Sequence, residues 1–364
     1  MSTLVGYEPF VNNCIELLKQ RFNEIATSGY TINLGHWLQC YAFDVIGEIT
    51  FGKRFGFLDF GEDEDGVFRA IDQRGIYSSF VGQYAWPHRY LWHLMPKKSG
   101  HGYVGNFARQ QIAQRQKELK DANTAKREGP PDFLSRFLEM HEEDPERVTV
   151  NDIITTSQSN IGAGSDTTSI TLAAVFYHHL RNPETMNRLQ DEVDTAAAEG
   201  RISSPVSFKE AQELPYLQAV IKEALRLHPA TGFPMARVVP SGGAMLAERM
   251  FPPNTIVGIN SWVAHRNTDV FGTDADRWRP ERWFEIESSG RGPDAEKYFL
   301  AFGQGSRTCI GKNISLLEMS KLIPELVRYF DFELDPSLKE GELTTLNMWF
   351  VKICDFKASV KVRK

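Results

Sequence analysis

"FGQGSRTCIG", residues 302–311, sets one cysteine among glycines and an arginine just ahead of an apolar helical run. Gly303, Gly305 and Gly311 permit tight turns and the close approach of a flat ligand. Cys309 falls where the loop enters the helix, and a helix N-terminus favours negative charge and hence thiolate. Arg307 can pair with a carboxylate, and Phe302 offers an aromatic wall. Together these groups can seat a planar, carboxylate-bearing, metal-containing cofactor with thiolate as ligand. Taken alone, Cys309 also fits a small buried hydrophobe, or a nucleophile that needs a histidine base.

Composition bounds the choice. The chain has 364 residues, 41% apolar and 24% charged, which fits a globular protein with a large core. Its net charge of -6, from 41 basic and 47 acidic residues, gives no basic footprint for nucleic acid and no polybasic membrane patch. The acidic run 62–65 reads as a solvated loop tip. Cys14, Cys40, Cys309 and Cys354 are widely spaced, which argues against a zinc site or a disulfide framework and fits a reducing compartment. Residues 1–10 lack a signal-peptide pattern, and no run approaches the ~20 apolar residues of a spanning helix.

The front half reads as helical, with segments near residues 9–25, 37–51 and 104–120. The polar stretch 121–131 reads as a surface loop between helices. A long helix is expected from Thr149 to Arg181, opened by a capping box of Thr149 with Asp152. Asn182-Pro183 is expected to cap the next helix, and residues 215–227 form another. From Arg237 to Trp262 the β-formers, broken by Gly242-Gly243 and Pro252-Pro253, read as short antiparallel strands. A helix tolerating Pro324 follows Cys309, and residues 349–362 read as strand.

Three further stretches draw attention. "AGSDTT", residues 163–168, puts glycine and consecutive threonines inside the long helix, where a kink or widened turn is expected. In "KEALRLHP", residues 222–229, Glu223 and Arg226 share one helical face and alone read as a surface bridge. "WRPERW", residues 278–283, supplies Arg282 as a third member for that pair. Arg237 alone reads as an exposed arginine opening a strand. His178, His179, His228 and His265 read as surface or packing residues.

Phe302, Gly305, Arg307, Cys309 and Gly311 match F-x-x-G-x-R-x-C-x-G, and with this the chain resembles the cytochrome P450 superfamily. The other motifs follow in that family's order. Residues 36–58, 260–267 and 311–319 are similar to filamentous-fungal members of the pisatin demethylase-like group. The resemblance implies a mainly α fold with small antiparallel β-sheets, forming a single domain over residues 1–364. It implies heme b with its iron on Cys309, whose thiolate promotes O–O cleavage. By the same resemblance Arg237 binds a heme propionate, and Asp166 and Thr167 are the acid and alcohol that deliver protons during oxygen activation. Glu223, Arg226 and Arg282 form a structural network behind the heme loop.

The implied activity is insertion of one oxygen atom from O2 into a lipophilic small molecule, in fungal secondary metabolism. Electrons would come from NADPH-cytochrome P450 reductase, since no Gly-rich nucleotide fold follows in this chain. No nucleic-acid partner is implied, and the expected state is a monomer. The resemblance implies the endoplasmic reticulum membrane, although the chain shows no anchor and fits a soluble or peripheral form. It also places Met1 downstream of the family's membrane helix, first strands and early helices, including the Trp-x-x-x-Arg that contacts a propionate. Unpaired sheet edges near Arg237 and Ile256 are then expected. Rival readings are a non-catalytic remnant, a heme-thiolate isomerase or dehydratase that needs no reductase, and a cysteine hydrolase.

Overall fold

The computed structural model of this chain describes residues 2–63, 66–84, 86–94, 100–120, 130–339 and 343–363. Glu64 and Asp65 of the acidic run, and most of the polar loop 121–131, lie outside the described residues.

Helix α1 (Glu8–Ser28) has Pro9 in its first turn and buries Val11, Cys14, Ile15, Leu18 and Phe22, the spacing of one helical stripe. The strand β1 (Thr31–Asn33) leads into α2 (Leu34–Phe51), whose first turn is capped by the Asn33 side chain accepting from His36 N–H. From Cys40 onward α2 is buried all round, as a helix in the middle of a core must be. Helices α3 (Val67–Gln83), α4 (Gly100–Lys120) and α5 (Phe133–Glu143) follow. Arg115 on α4 pairs with Asp132, the N-cap of α5, at 2.9 Å and also donates to Phe51 O. The helices on either side of the polar loop therefore share one core.

Helix α6 (Val150–Arg181) carries both halves of the Thr149–Asp152 capping box. It stays α-helical through Ala163–Thr168, so the widened turn expected there does not form. The helix accommodates its hydroxyls without breaking. Ser165, Thr167 and Thr171 each donate to the carbonyl four residues back, at 2.7, 2.8 and 3.1 Å. Gly164 has a packing role, because a Cβ there would lie 3.0 Å from Ile46 Cγ1 on α2.

Helix α7 (Pro183–Ala198) lacks the Asn182 side-chain cap expected from sequence. That amide instead donates backward to His178 O at 2.7 Å, closing α6. Helices α8 (Pro215–Leu227) and α9 (Lys312–Tyr329) complete the frame, with Pro324 buried inside α9. Lys19 with Glu325 at 2.8 Å, and Lys321 with Glu8 at 2.9 Å, tie α1 to α9.

The strands are short and antiparallel. β2 (Arg237–Val238) pairs with β5 (Ile256–Val257), and β3 (Ala244–Leu246) with β4 (Arg249–Phe251). Val238 and Ile256 are 65% and 71% exposed, and among the described residues β2 and β5 pair only with each other. Trp262, expected in a strand, lies in a short helical turn because Asn260 Oδ1 accepts its N–H. β6 (Phe330–Leu334) and β9 (Lys357–Val362) form a three-stranded sheet with β1, in the order β1-β9-β6. β7 (Thr345–Met348) and β8 (Phe350–Ile353) make a hairpin that turns at Trp349. The fold is thus mainly helical with small antiparallel sheets. One apolar core runs from Tyr7 to Val360. A smaller cluster around Phe271, Ala275 and Trp283 packs against Phe299, three residues before Phe302.

Candidate active site

The cysteine loop is held from within. Cys309 N–H donates to Phe302 O at 2.8 Å, closing residues 302–309 into a compact turn. Gly303 and Gly305 take φ of 66° and 70°, the left-handed region that glycine occupies freely. Thr308 returns its N–H and hydroxyl to Gly305 O at 3.2 and 2.9 Å. α9 begins three residues after Cys309, with Gly311 as its N-cap. Cys309, Arg307 and Gly305 are exposed, Ile310 is 96% exposed, and Phe302 and Gly311 are half-buried. Among the described residues, neither the Cys309 thiol nor the Arg307 guanidinium has a side-chain partner. Arg237 is also exposed and donates only to the carbonyls of its neighbours Met235 and Ala236.

Behind the loop, every donor is placed. The Glu223–Arg226 pair is not the surface bridge that its spacing alone implies: both side chains are 0% exposed and Arg282 is 1%. Arg226 donates to Glu223 at 2.9 and 2.8 Å, and Arg282 Nε at 3.0 Å. Trp283 Nε1 and Arg279 N–H fill the remaining acceptor sites, each at 3.1 Å. The two guanidinium groups spend their other donors on the carbonyls of His265, Phe271, Asp274, Ala275 and Arg277 and on the Asp274 carboxylate. Planar forks of fixed donors suit such a saturated network.

His265 links the network to the loop. Its Nδ1 bonds Arg226 O at 2.8 Å, its Nε2 accepts from Leu300 N–H at 2.7 Å, and its ring stacks on Phe299. Burial pushes its pKa down to about 4, and does the same for His228. His178 and His179 are lowered to about 3, again chiefly by burial. His179, His228 and His265 are buried and His178 is half-buried, so all four are packing residues.

The long helix faces this loop. Thr168 and Ser315 share a hydroxyl bond of 2.8 Å, joining α6 to the start of α9. Ala163 is exposed and Thr167 half-buried, with Thr167 Oγ1 donating to Ala163 O. Asp166, one residue earlier, points elsewhere and is buried. Its Oδ1 accepts from Gln39 at 2.7 Å and pairs with Lys352 at 3.1 Å, while Lys352 also pairs with Asp72 at 2.5 Å. Burial raises the Asp166 pKa, and Lys352 opposes the rise. The structure thus places the acid and the alcohol on adjacent residues but with different surroundings. A cavity of about 570 Å³ lies beside this segment, walled by Ala163, Asp166, Lys352 and the tip of the β7–β8 hairpin.

A cytochrome P450 family model matches residues 2–352. The chain belongs to the cytochrome P450 family. It is 41% identical to a cytochrome P450 monooxygenase of Aspergillus terreus, over 91% of this chain and 68% of that protein. It is 39% identical to cytochrome P450 monooxygenase cicH of Emericella nidulans, over the whole of this chain and 72% of the relative. Pisatin demethylase of Fusarium vanettenii is also 39% identical, with 69% of its length covered. The P450 is a heme-thiolate monooxygenase, and these relatives set it among those of fungal secondary metabolism.

The donors of this P450 fit heme. Among the described residues no group of three His, Cys, Asp or Glu side chains could hold a bare metal ion. A lone exposed thiol suits a metal whose other ligands arrive with it. Arg307 and Arg237 are exposed cations, the second bonded only to neighbouring carbonyls, and Ile310 and Phe302 offer apolar surface beside the thiol. No described helix is long and apolar enough to cross a membrane. Sequence reading named His265 only as a surface or packing residue and gave Lys352, Gln39 and Ser315 no role. Gln39, His265 and Ser315 lie in the stretches 36–58, 260–267 and 311–319 that carry the resemblance to fungal members, whereas nothing in the sequence pointed to Lys352.

Proposed function

We propose that Cys309 ligates heme iron and that this P450 inserts one oxygen atom from O2 into a lipophilic small molecule of fungal secondary metabolism. The observation that carries this reading is the Cys309 thiol, exposed and unpartnered on a loop otherwise internally bonded. Bound heme supplies dioxygen activation, promoted by electron density from the thiolate. Arg307 and Arg237 neutralise the heme carboxylates, as exposed guanidinium groups without a counter-charge suit. Phe302 and Ile310 exclude water from the sulfur side, and Gly305 and Gly311 let the loop lie flat.

Thr167 and Asp166 handle the protons that the reaction consumes. Thr167 Oγ1 holds its proton toward Ala163 O, on the half-open face of α6. Burial raises the proton affinity of Asp166 and Lys352 restrains it, which suits a carboxyl that must both take and give a proton. Glu223, Arg226 and Arg282 act structurally, fixing the loop through His265. Electrons come from NADPH-cytochrome P450 reductase, and the chain acts as a monomeric single domain at the endoplasmic reticulum membrane.

The test is the absorption spectrum of the purified, heme-loaded chain, reduced and bound to carbon monoxide. A red-shifted Soret band that disappears in Cys309→His supports the reading. A band of neutral ligation in the unaltered protein would remove it.

A further inference from the structure

The cavity of about 570 Å³ lies between α3, α4, α6 and the β7–β8 hairpin. Ala163 and Asp166 form part of its wall, so it borders the segment assigned to proton handling. Much of the lining is apolar: Ile71, Val104, Met348, Trp349 and Phe350. Two basic side chains also line it, and they differ. Lys352 is satisfied by Asp72 and Asp166. Arg74 is half-buried, and among the described residues its guanidinium has no ion pair or hydrogen bond.

Desolvation is what lowers the Arg74 pKa, with no carboxylate acting on it. Asp72 sits two positions away on α3, a spacing that does not bring side chains face to face, and Lys352 already holds it. The backbone that carries Arg74 is fixed in place. A Cβ on its neighbour Gly75 would lie 2.8 Å from Met348 O, so α3 packs tightly on the hairpin there. A partly desolvated cation without a counter-charge, on an apolar wall and a fixed stretch of backbone, favours a ligand that brings the charge with it.

We propose that Arg74 binds a carboxylate on the substrate, and that this P450 therefore acts on lipophilic organic acids whose apolar bodies lie against Trp349 and Phe350. This rests on the monooxygenase reading for the meaning of the cavity. Its binding test does not. Isothermal titration calorimetry on the heme-loaded chain compares naphthylacetic acid with naphthylacetamide, and lauric acid with lauramide. Each pair keeps its shape and differs in charge.

The acids are expected to bind about tenfold more tightly than the amides, as one charge-assisted pair in a partly wet site provides. Arg74→Gln is expected to bind acid and amide alike, and Arg74→Lys to keep part of the preference. Equal binding by the unaltered protein, no binding of either pair, or a preference that survives Arg74→Gln overturns the proposal. The carbon monoxide spectrum of the same samples separates the two readings. A thiolate band without acid preference refutes the Arg74 proposal alone. Acid preference without that band refutes the Cys309 reading alone.

Discussion

The two sides of the cysteine loop are opposites. Behind it, Glu223, Arg226 and Arg282 are at most 1% exposed and bonded throughout. In front, Cys309, Arg307 and Arg237 are exposed, and the first two have no side-chain partner among the described residues. The difference shows where the fold spends its polar pairing. The glycine-rich loop is bonded within itself, and the support behind it is saturated as well. The open groups are then left in a fixed arrangement for a ligand to complete.

The strongest way to break this contrast is from behind. Glu223→Ala would leave Arg226 buried without a carboxylate and Arg282 with Asp274 alone, an expected loss of about 3–5 kcal/mol. Urea unfolding measures it, and a variant as stable as the parent would show the network to be dispensable. The same operation in front has a smaller reach. Cys309→Ser is expected to abolish the thiolate spectrum and turnover while moving the stability of the heme-free chain by less than ~0.5 kcal/mol. A large loss of stability there would mean the front side is also structural.

A third change tests the acid. Lys352 lowers the Asp166 pKa against the upward push of burial, so Lys352→Met should raise it further. The protonated carboxyl band in infrared difference spectra should then persist to higher pH than in the parent. An unmoved titration would show that the 3.1 Å pair does not bear on Asp166.

The smallest effect is expected at Trp349. It holds φ of 80° at the hairpin turn and stacks on Phe233. Trp349→Gly relieves the backbone and removes the ring, so the two terms should cancel to within ~1 kcal/mol. Affinity for cavity ligands should fall while the melting temperature barely moves, and a large drop in melting temperature would count against this balance.

What was legible in the sequence was local. The loop around Cys309, the Thr149 capping box and the α1 stripe each lie within a few turns of chain, where period and spacing suffice. Long-range meaning was not legible. Spacing alone gives Glu223 and Arg226 as a surface bridge, because it shows a shared face and not what covers it; only the family resemblance set them with Arg282 in a network behind the loop. Their burial depends on Arg282 and Trp283, some sixty residues on. Asp166 was visible as an acid, but its partner Lys352 arrives from a hairpin 186 positions later, and nothing in either segment names the other. The softened turn in α6 failed for a different reason. There Gly164 packs closely on Ile46 of α2 and the hydroxyls bond one turn back, a tertiary setting that composition alone does not reveal.

His265 can be read in the language of information. Its site requires a donor toward Arg226 O and an acceptor toward Leu300 N–H, on opposite edges of a flat ring that also covers Phe299. Asparagine and glutamine carry donor and acceptor at one end, and phenylalanine and tyrosine lack the acceptor within the ring. The alphabet at this position shrinks from twenty letters to about one, although the residue touches no substrate. In a saturation library sorted for heme loading, position 265 should be among the least tolerant outside the loop itself.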